Sequence, residues 1–78
     1  MAKAKPFEEK YPAMAYFVAT TGWIEIGDHE VVASFVRAYD QGGTVYEGES
    51  SYSTMEDALQ DLEKGIKIYL DEIGIEYE

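Results

Sequence analysis

The sequence predicts an α+β fold with its elements in the order α-β-β-β-α: a three-stranded antiparallel sheet with helices packed on one face. Three observations predict it. An apolar stripe at helical spacing runs from Met55 to Ile73 behind a capping motif. A Gly42-Gly43 pair separates two β-prone segments. Upstream, a run of helix formers opens on Pro12 and stops at Gly22.

Residues 1–10 alternate small and charged residues around Pro6 and read as a flexible N-terminal arm that can dock through Phe7. Residues 11–78 read as a single domain. Pro12–Thr21 is the first helix. Proline suits its first position, and Met14, Phe17 and Val18 fall at helical spacing. Gly22 stands where a left-handed residue would close it. The rival is a strand, because Tyr16–Thr21 is rich in β-formers. Trp23–Ile26 is a short strand, stopped by Gly27-Asp28 and followed by a polar turn over 27–30. Val31–Asp40 is the longest strand candidate. Asp40–Gly43 is a hairpin turn, and Thr44–Glu49 returns as the partner strand.

The last helix has the clearest signal. Ser53-Thr54-Met55-Glu56 has the form of a capping box. Met55, Leu59, Leu62, Ile66, Tyr69 or Leu70, and Ile73 make one apolar stripe, with Ile24 and Ile26 of the sheet as natural contacts. Glu63 and Lys67 are spaced for an i,i+4 ion pair. Gly74 is placed to cap the C-terminus, with Ile75 folding back onto Leu70.

Side chains alternate along a strand, so the sheet has a second face. With a three-residue loop Gln41–Gly43, Arg37 faces Glu47 and Tyr39 faces Val45. A two-residue Gly42-Gly43 loop would slip the register and break the Arg37–Glu47 pair. Helices then cover Ile24, Val36, Ala38 and Tyr46. The other face carries Trp23, Phe35, Tyr39 and Val45, threaded with Glu25, Arg37 and Glu47. Trp, Tyr and Arg are enriched at binding hot spots. Those seven residues are the candidate interaction surface, most simply between two copies of the chain. Two other readings stand beside it: the N-terminal arm folds over this face with Phe7 and Tyr11, or the face is simply wet.

Length and charge bound what such a chain can do. At 78 residues it buries only about 60–65% of its unfolded surface. A core of that size rarely supplies more than about 3–5 kcal/mol, which makes oligomerisation useful. Sixteen acids oppose six bases, a net charge of −10. Residues 1–39 hold five acids and four bases; residues 40–78 hold eleven acids and two bases. This is the wrong sign for nucleic acid or an anionic membrane surface, and suits a basic protein partner. The order α-β-β-β-α is also that of a double-stranded-RNA-binding domain, but the last helix lacks a Lys cluster at its start. The Met1–Lys5 segment has no apolar stretch behind it, so it is not a secretory signal. Together with the absence of Cys, this leads us to expect a cytoplasmic protein.

Chemistry finds little purchase. With no Cys and a single His, His29, there is no structural zinc set. His29 lies between Asp28 and Glu30 in a polar turn, where a solvated imidazole is ordinary. Asp57 and Asp61 share a helix face but are expected to point to solvent. The glycines form neither a dinucleotide nor a P-loop pattern. We therefore expect no catalytic residue, no metal and no cofactor.

The stretches Gly22–Gly27, Ser34–Ala38 and Gly42–Gly48 (GWIEIG, SFVRA and GGTVYEG) resemble a family of short cyanobacterial proteins. That likeness runs from about Tyr11 to Ile73 and implies no particular activity or site. A second likeness is to HicB-type antitoxin domains. It rests on a hairpin followed by the helix start Thr54-Met55-Glu56-Asp57-Ala58-Leu59 and a helix ending near Tyr69-Leu70. It implies an inhibitor of a basic partner protein. That family's partial RNase H-like fold has no leading helix of this kind, and this chain shows no DNA-binding appendage. The expectation is therefore a small acidic non-enzymatic interaction module, a homodimer through the open sheet face. The alternative is an acidic inhibitor or HicB-like antitoxin.

Overall fold

The computed structural model describes residues 6–28 and 30–75. Its elements are α1 (Pro6–Lys10), α2 (Pro12–Thr20), β1 (Gly22–Ile26), β2 (Val36–Asp40), β3 (Gly43–Glu47) and α3 (Met55–Glu72). The strands form one antiparallel sheet in the order β1-β2-β3, with β2 central. The expected α+β architecture is observed. One helix was not foreseen: within the segment read as a flexible arm, Pro6–Lys10 forms α1. Residues 1–5 of that segment lie outside the described residues. The Phe7 and Tyr11 rings meet at 5.4 Å, and Lys10 Nζ sits 3.1 Å from Glu56 of α3.

α2 confirms helix over strand for Pro12–Thr20. Its N-terminal residue Tyr11 provides no side-chain cap. Glu63 of α3 does so instead, accepting the Ala13 and Met14 amides at 2.8 Å each. The Glu63 carboxylate is thus engaged on α2 and not with Lys67, the partner its spacing suggested. The positive end of α2 favours a negative charge there. Gly22 does not close α2 in a left-handed conformation as its position suggested. Thr21 is the C-terminal cap, its amide donating to the Phe17 carbonyl. Gly22 already belongs to β1, and a Cβ there would collide with the Tyr39 carbonyl.

β1 pairs with β2 in the register Trp23↔Tyr39, Ile24↔Ala38, Glu25↔Arg37 and Ile26↔Val36. β2 is shorter than the Val31–Asp40 expected. At Phe35 the chain turns: the Phe35 carbonyl takes the Gly27 amide at 2.7 Å, and its amide donates to the Glu49 carbonyl at 2.8 Å. The hairpin also differs from expectation. Asp40 pairs with Gly43, leaving only Gln41 and Gly42 in the loop. Gly43 takes the positive φ of 122° that this turn requires. Tyr39 therefore faces Thr44, not Val45. A bulge then inserts Val45 as an extra residue, and Ala38↔Tyr46 and Arg37↔Glu47 return to the expected register.

α3 crosses the sheet face formed by Val36, Ala38 and Tyr46. The core is Tyr11, Ala13, Met14 and Phe17 of the N-terminal helical segment, Val36 and Ala38, and Ala58, Leu62, Ile66 and Leu70. At about 27 Å for 18 residues, α3 outruns a five-residue strand of about 17 Å. The two ends of its stripe, Met55 and Ile73, consequently remain exposed. So does Ile26, which the stripe was expected to cover; Ile24 is the β1 residue that packs on the core. The N-terminal cap is Thr54, whose Oγ1 accepts the Asp57 amide at 3.0 Å. The capping box read from Ser53 and Glu56 is not the one used. Glu56 turns instead to Lys10 and Gln60. At the other end Gly74 has φ 79°, and the Ile75 amide returns to the Leu70 carbonyl at 2.9 Å, as expected.

Gly65 decides how closely α3 lies on the sheet. A Cβ at this buried position would sit 2.5 Å from the ring of Tyr46. Replacing it by Ala gains about 0.8–1 kcal/mol of helix propensity but overpacks the contact at about 1–3 kcal/mol. Gly65→Ala should therefore lower the denaturation midpoint in urea, against the usual effect of Gly→Ala within a helix.

Candidate interaction surface

The open face is built on β1 and β2. Trp23 is 48% exposed and stacks on its cross-strand neighbour Tyr39, centroids 5.8 Å apart and planes at 29°. Of the seven residues expected on this face, Trp23, Glu25, Arg37, Tyr39 and Glu47 occupy strand positions on it, in line with alternation. Phe35 and Val45 do not extend the open aromatic surface. Phe35 is half-buried against the core and meets the Tyr52 ring at 6.3 Å. Val45, displaced by the bulge, is also half-buried and packs on the core.

Arg37 is the most buried charge described, at 3% exposure. Its Nε donates to Glu25 Oε1 at 3.2 Å, its Nη2 to the Gly27 carbonyl at 3.3 Å, and its Nη1 to the Ser34 carbonyl. A guanidinium presents five donors in a fixed fork, and here three separate acceptors share it. It therefore holds both ends of the 27–34 loop to the sheet. A pairing with a strand-neighbour glutamate was expected, and Glu25 rather than Glu47 supplies it. The two carbonyls were not, because no side-chain pattern marks a backbone acceptor.

Other polar groups meet on the opposite side. Asp61 was expected in solvent beside Asp57. It is half-buried and accepts two phenols, Tyr46 at 2.7 Å and Tyr52. Asp57 is exposed. The Tyr52 oxygen also accepts the Glu49 amide at 2.7 Å, so it fastens the 48–54 loop. Tyr69 donates to Asp40 Oδ2 at 2.9 Å, while Asp40 Oδ1 takes the Gly42 amide at 2.8 Å in the hairpin. Burial first, and then Asp61, hold the Tyr46 phenol well above its ordinary range. Tyr52 is raised by the same two causes in the same order. The hydrogen bond to Asp40 leads in raising Tyr69. The one sequence signal for these contacts was a surplus of both acids and tyrosines over bases.

A depression of about 230 Å³ lies between the loops, lined by Asp28, Phe35, Tyr52, Met55 and the hydroxyl residues Ser50, Ser51, Ser53 and Thr54. His29 lies outside the described residues. Among the described residues there is no group of three or more His, Cys, Asp or Glu placed to hold a metal ion. No described helix is long and apolar enough to cross a membrane. Neither protein-family models nor curated proteins nor solved structures give a match to this chain.

The phenol contacts predict an alkaline limit. Tyr46 must keep its proton to donate to Asp61. Its folded pKa lies above the ordinary value of 10.0. The stability it contributes is thus complete below about pH 10 and is lost as pH rises from there toward the folded pKa. In melting curves from pH 8 upward, Tyr46→Phe should start lower and lose less between about pH 10 and 12 than the parent chain.

Proposed function

We propose that this chain is a small acidic, non-enzymatic interaction module that associates with a second copy of itself at the Trp23 end of the open sheet face. The observation that carries this reading is the exposed Trp23, braced by Tyr39 on a rigid strand. A tryptophan held in one orientation loses little entropy on contact, and it offers a large apolar area. The six-to-sixteen balance of bases and acids does not forbid the contact, because the surplus sits in residues 40–78 and β1 lies in the nearly neutral half.

A second reading draws on that same surplus. α3 turns Glu56, Asp57, Asp71 and Glu72 outward, which suits a basic partner protein in the manner that the likeness to HicB-type antitoxins implies. Such a contact would weaken steeply with salt, whereas an apolar self-contact would not.

Sedimentation equilibrium tests the first reading. The parent chain should show a dimer whose population rises with concentration. Trp23→Ala should shift it toward monomer by about tenfold or more in dissociation constant, the loss of a hot-spot aromatic. Its circular dichroism should remain that of the parent. An unaltered equilibrium in the variant would remove Trp23 from the contact.

A further inference from the structure

Trp23 is not the only large apolar side chain left open on β1: Ile26 is 40% exposed. The two stand on opposite faces of the strand, because their positions differ by an odd number. A partner laid on either face would cover one and miss the other. A strand laid along the outer edge of β1 reaches both.

The backbone agrees. The Gly27 amide donates to the Phe35 carbonyl, and in this register Gly27 stands opposite Phe35. In an antiparallel pair, hydrogen-bonded residues alternate. Trp23 and Glu25 therefore direct their amides and carbonyls to β2, and Gly22, Ile24 and Ile26 direct theirs outward. β1 is an edge strand, and no described strand pairs with its outer side. Ile24 is the middle residue of Gly22–Ile26. It is also one of the outward-facing residues.

We infer that β1 pairs antiparallel with β1 of a second copy about a two-fold axis at Ile24, joining two sheets into one of six strands. The inference rests on the self-association proposed above and specifies its geometry. Ile24 of one copy bonds Ile24 of the other, and Ile26 lies opposite Gly22, whose missing side chain leaves room for it. These three pairs supply up to about six interchain hydrogen bonds. Trp23 lies opposite Glu25, so no like charges meet. Arg37 already engages Glu25 from β2.

The occupant is a second copy because its charge permits it. Residues 1–39 are nearly neutral while residues 40–78 carry nine excess acids, so pairing through β1 keeps the acidic halves apart. The opposite edge is guarded. β3 is bent by the Val45 bulge, a device that protects edges from pairing. β1 has no bulge and no proline.

Hydrogen exchange by NMR on the full chain, at low and high protein concentration, tests this directly. The Ile24 and Ile26 amides should slow by about tenfold or more as the dimer forms. The Trp23 and Glu25 amides, bonded to β2 in either state, should change far less. Ile26→Lys should shift the equilibrium toward monomer while leaving the monomer's amide spectrum otherwise intact. A dimer in which Ile24 and Ile26 exchange at the same rate at every concentration overturns the edge geometry and leaves self-association standing. A chain that stays monomeric at millimolar concentration overturns both.

Discussion

Acceptance of neutral donors by carboxylates of α3 and the β2–β3 hairpin sets the position of α3, and most of the molecule is arranged around that helix. Gly65 lets the Tyr46 ring lie against it, and the phenol then reaches Asp61 one turn away. Asp61 takes Tyr52 as well, which brings in the 48–54 loop. Glu63, two residues on, supplies the cap that α2 lacks. Tyr69 reaches down to Asp40 at the hairpin. One helix thereby joins α2, the end of β2, β3 and the loop before its own N-terminus. A core of about ten buried apolar side chains is small, so the relative placement of its elements depends on such directional contacts as well as on burial.

This arrangement also answers a question posed by composition. Sixteen acids cannot all find bases among six. An acid placed against the protein body without a partner would be costly. Phenols and backbone amides at helix starts are the donors that remain, and a charged acceptor makes the stronger class of hydrogen bond with them. Two of the chain's scarce cations have specific tasks instead. Arg37 closes the 27–34 loop onto the sheet, and Lys10 links α1 to α3. Glu56, Asp57, Asp71 and Glu72 stay exposed on α3, whereas β1 carries one acid, Glu25, which Arg37 engages.

Periodicity made much of the fold legible. The stripe of α3, the helix behind Pro12 and the strands flanking Gly42-Gly43 all follow from side-chain direction, which local sequence dictates. What local sequence does not dictate is where backbone polar groups find partners across the chain. That is why Glu63 read as half of an exposed ion pair and Asp61 as a solvated acid. The hairpin shows the same boundary in another form. The Arg37–Glu47 pairing was legible from the two faces of the strands. The route to it, a tighter loop compensated by a bulge at Val45, was not, because both routes satisfy the same alternation. The open face was likewise half legible. Trp23, Arg37 and Tyr39 stand where alternation puts them, but Phe35 lies beyond the regular strand and Val45 in the bulge, where alternation no longer applies.

The claim that neutral-donor contacts to carboxylates hold α3 in place is tested most directly by a double-mutant cycle on Tyr46 and Asp61. Urea denaturation of the parent, Tyr46→Phe, Asp61→Ala and the double variant isolates the energy of that one contact from everything else each side chain does. A hydrogen bond to a charged acceptor at a half-buried site should yield a favourable coupling of about 1 kcal/mol or more. Losses that add within about 0.3–0.5 kcal/mol, the range of independent sites, would mean that the phenol and the carboxylate lie side by side without fastening the helix to the sheet.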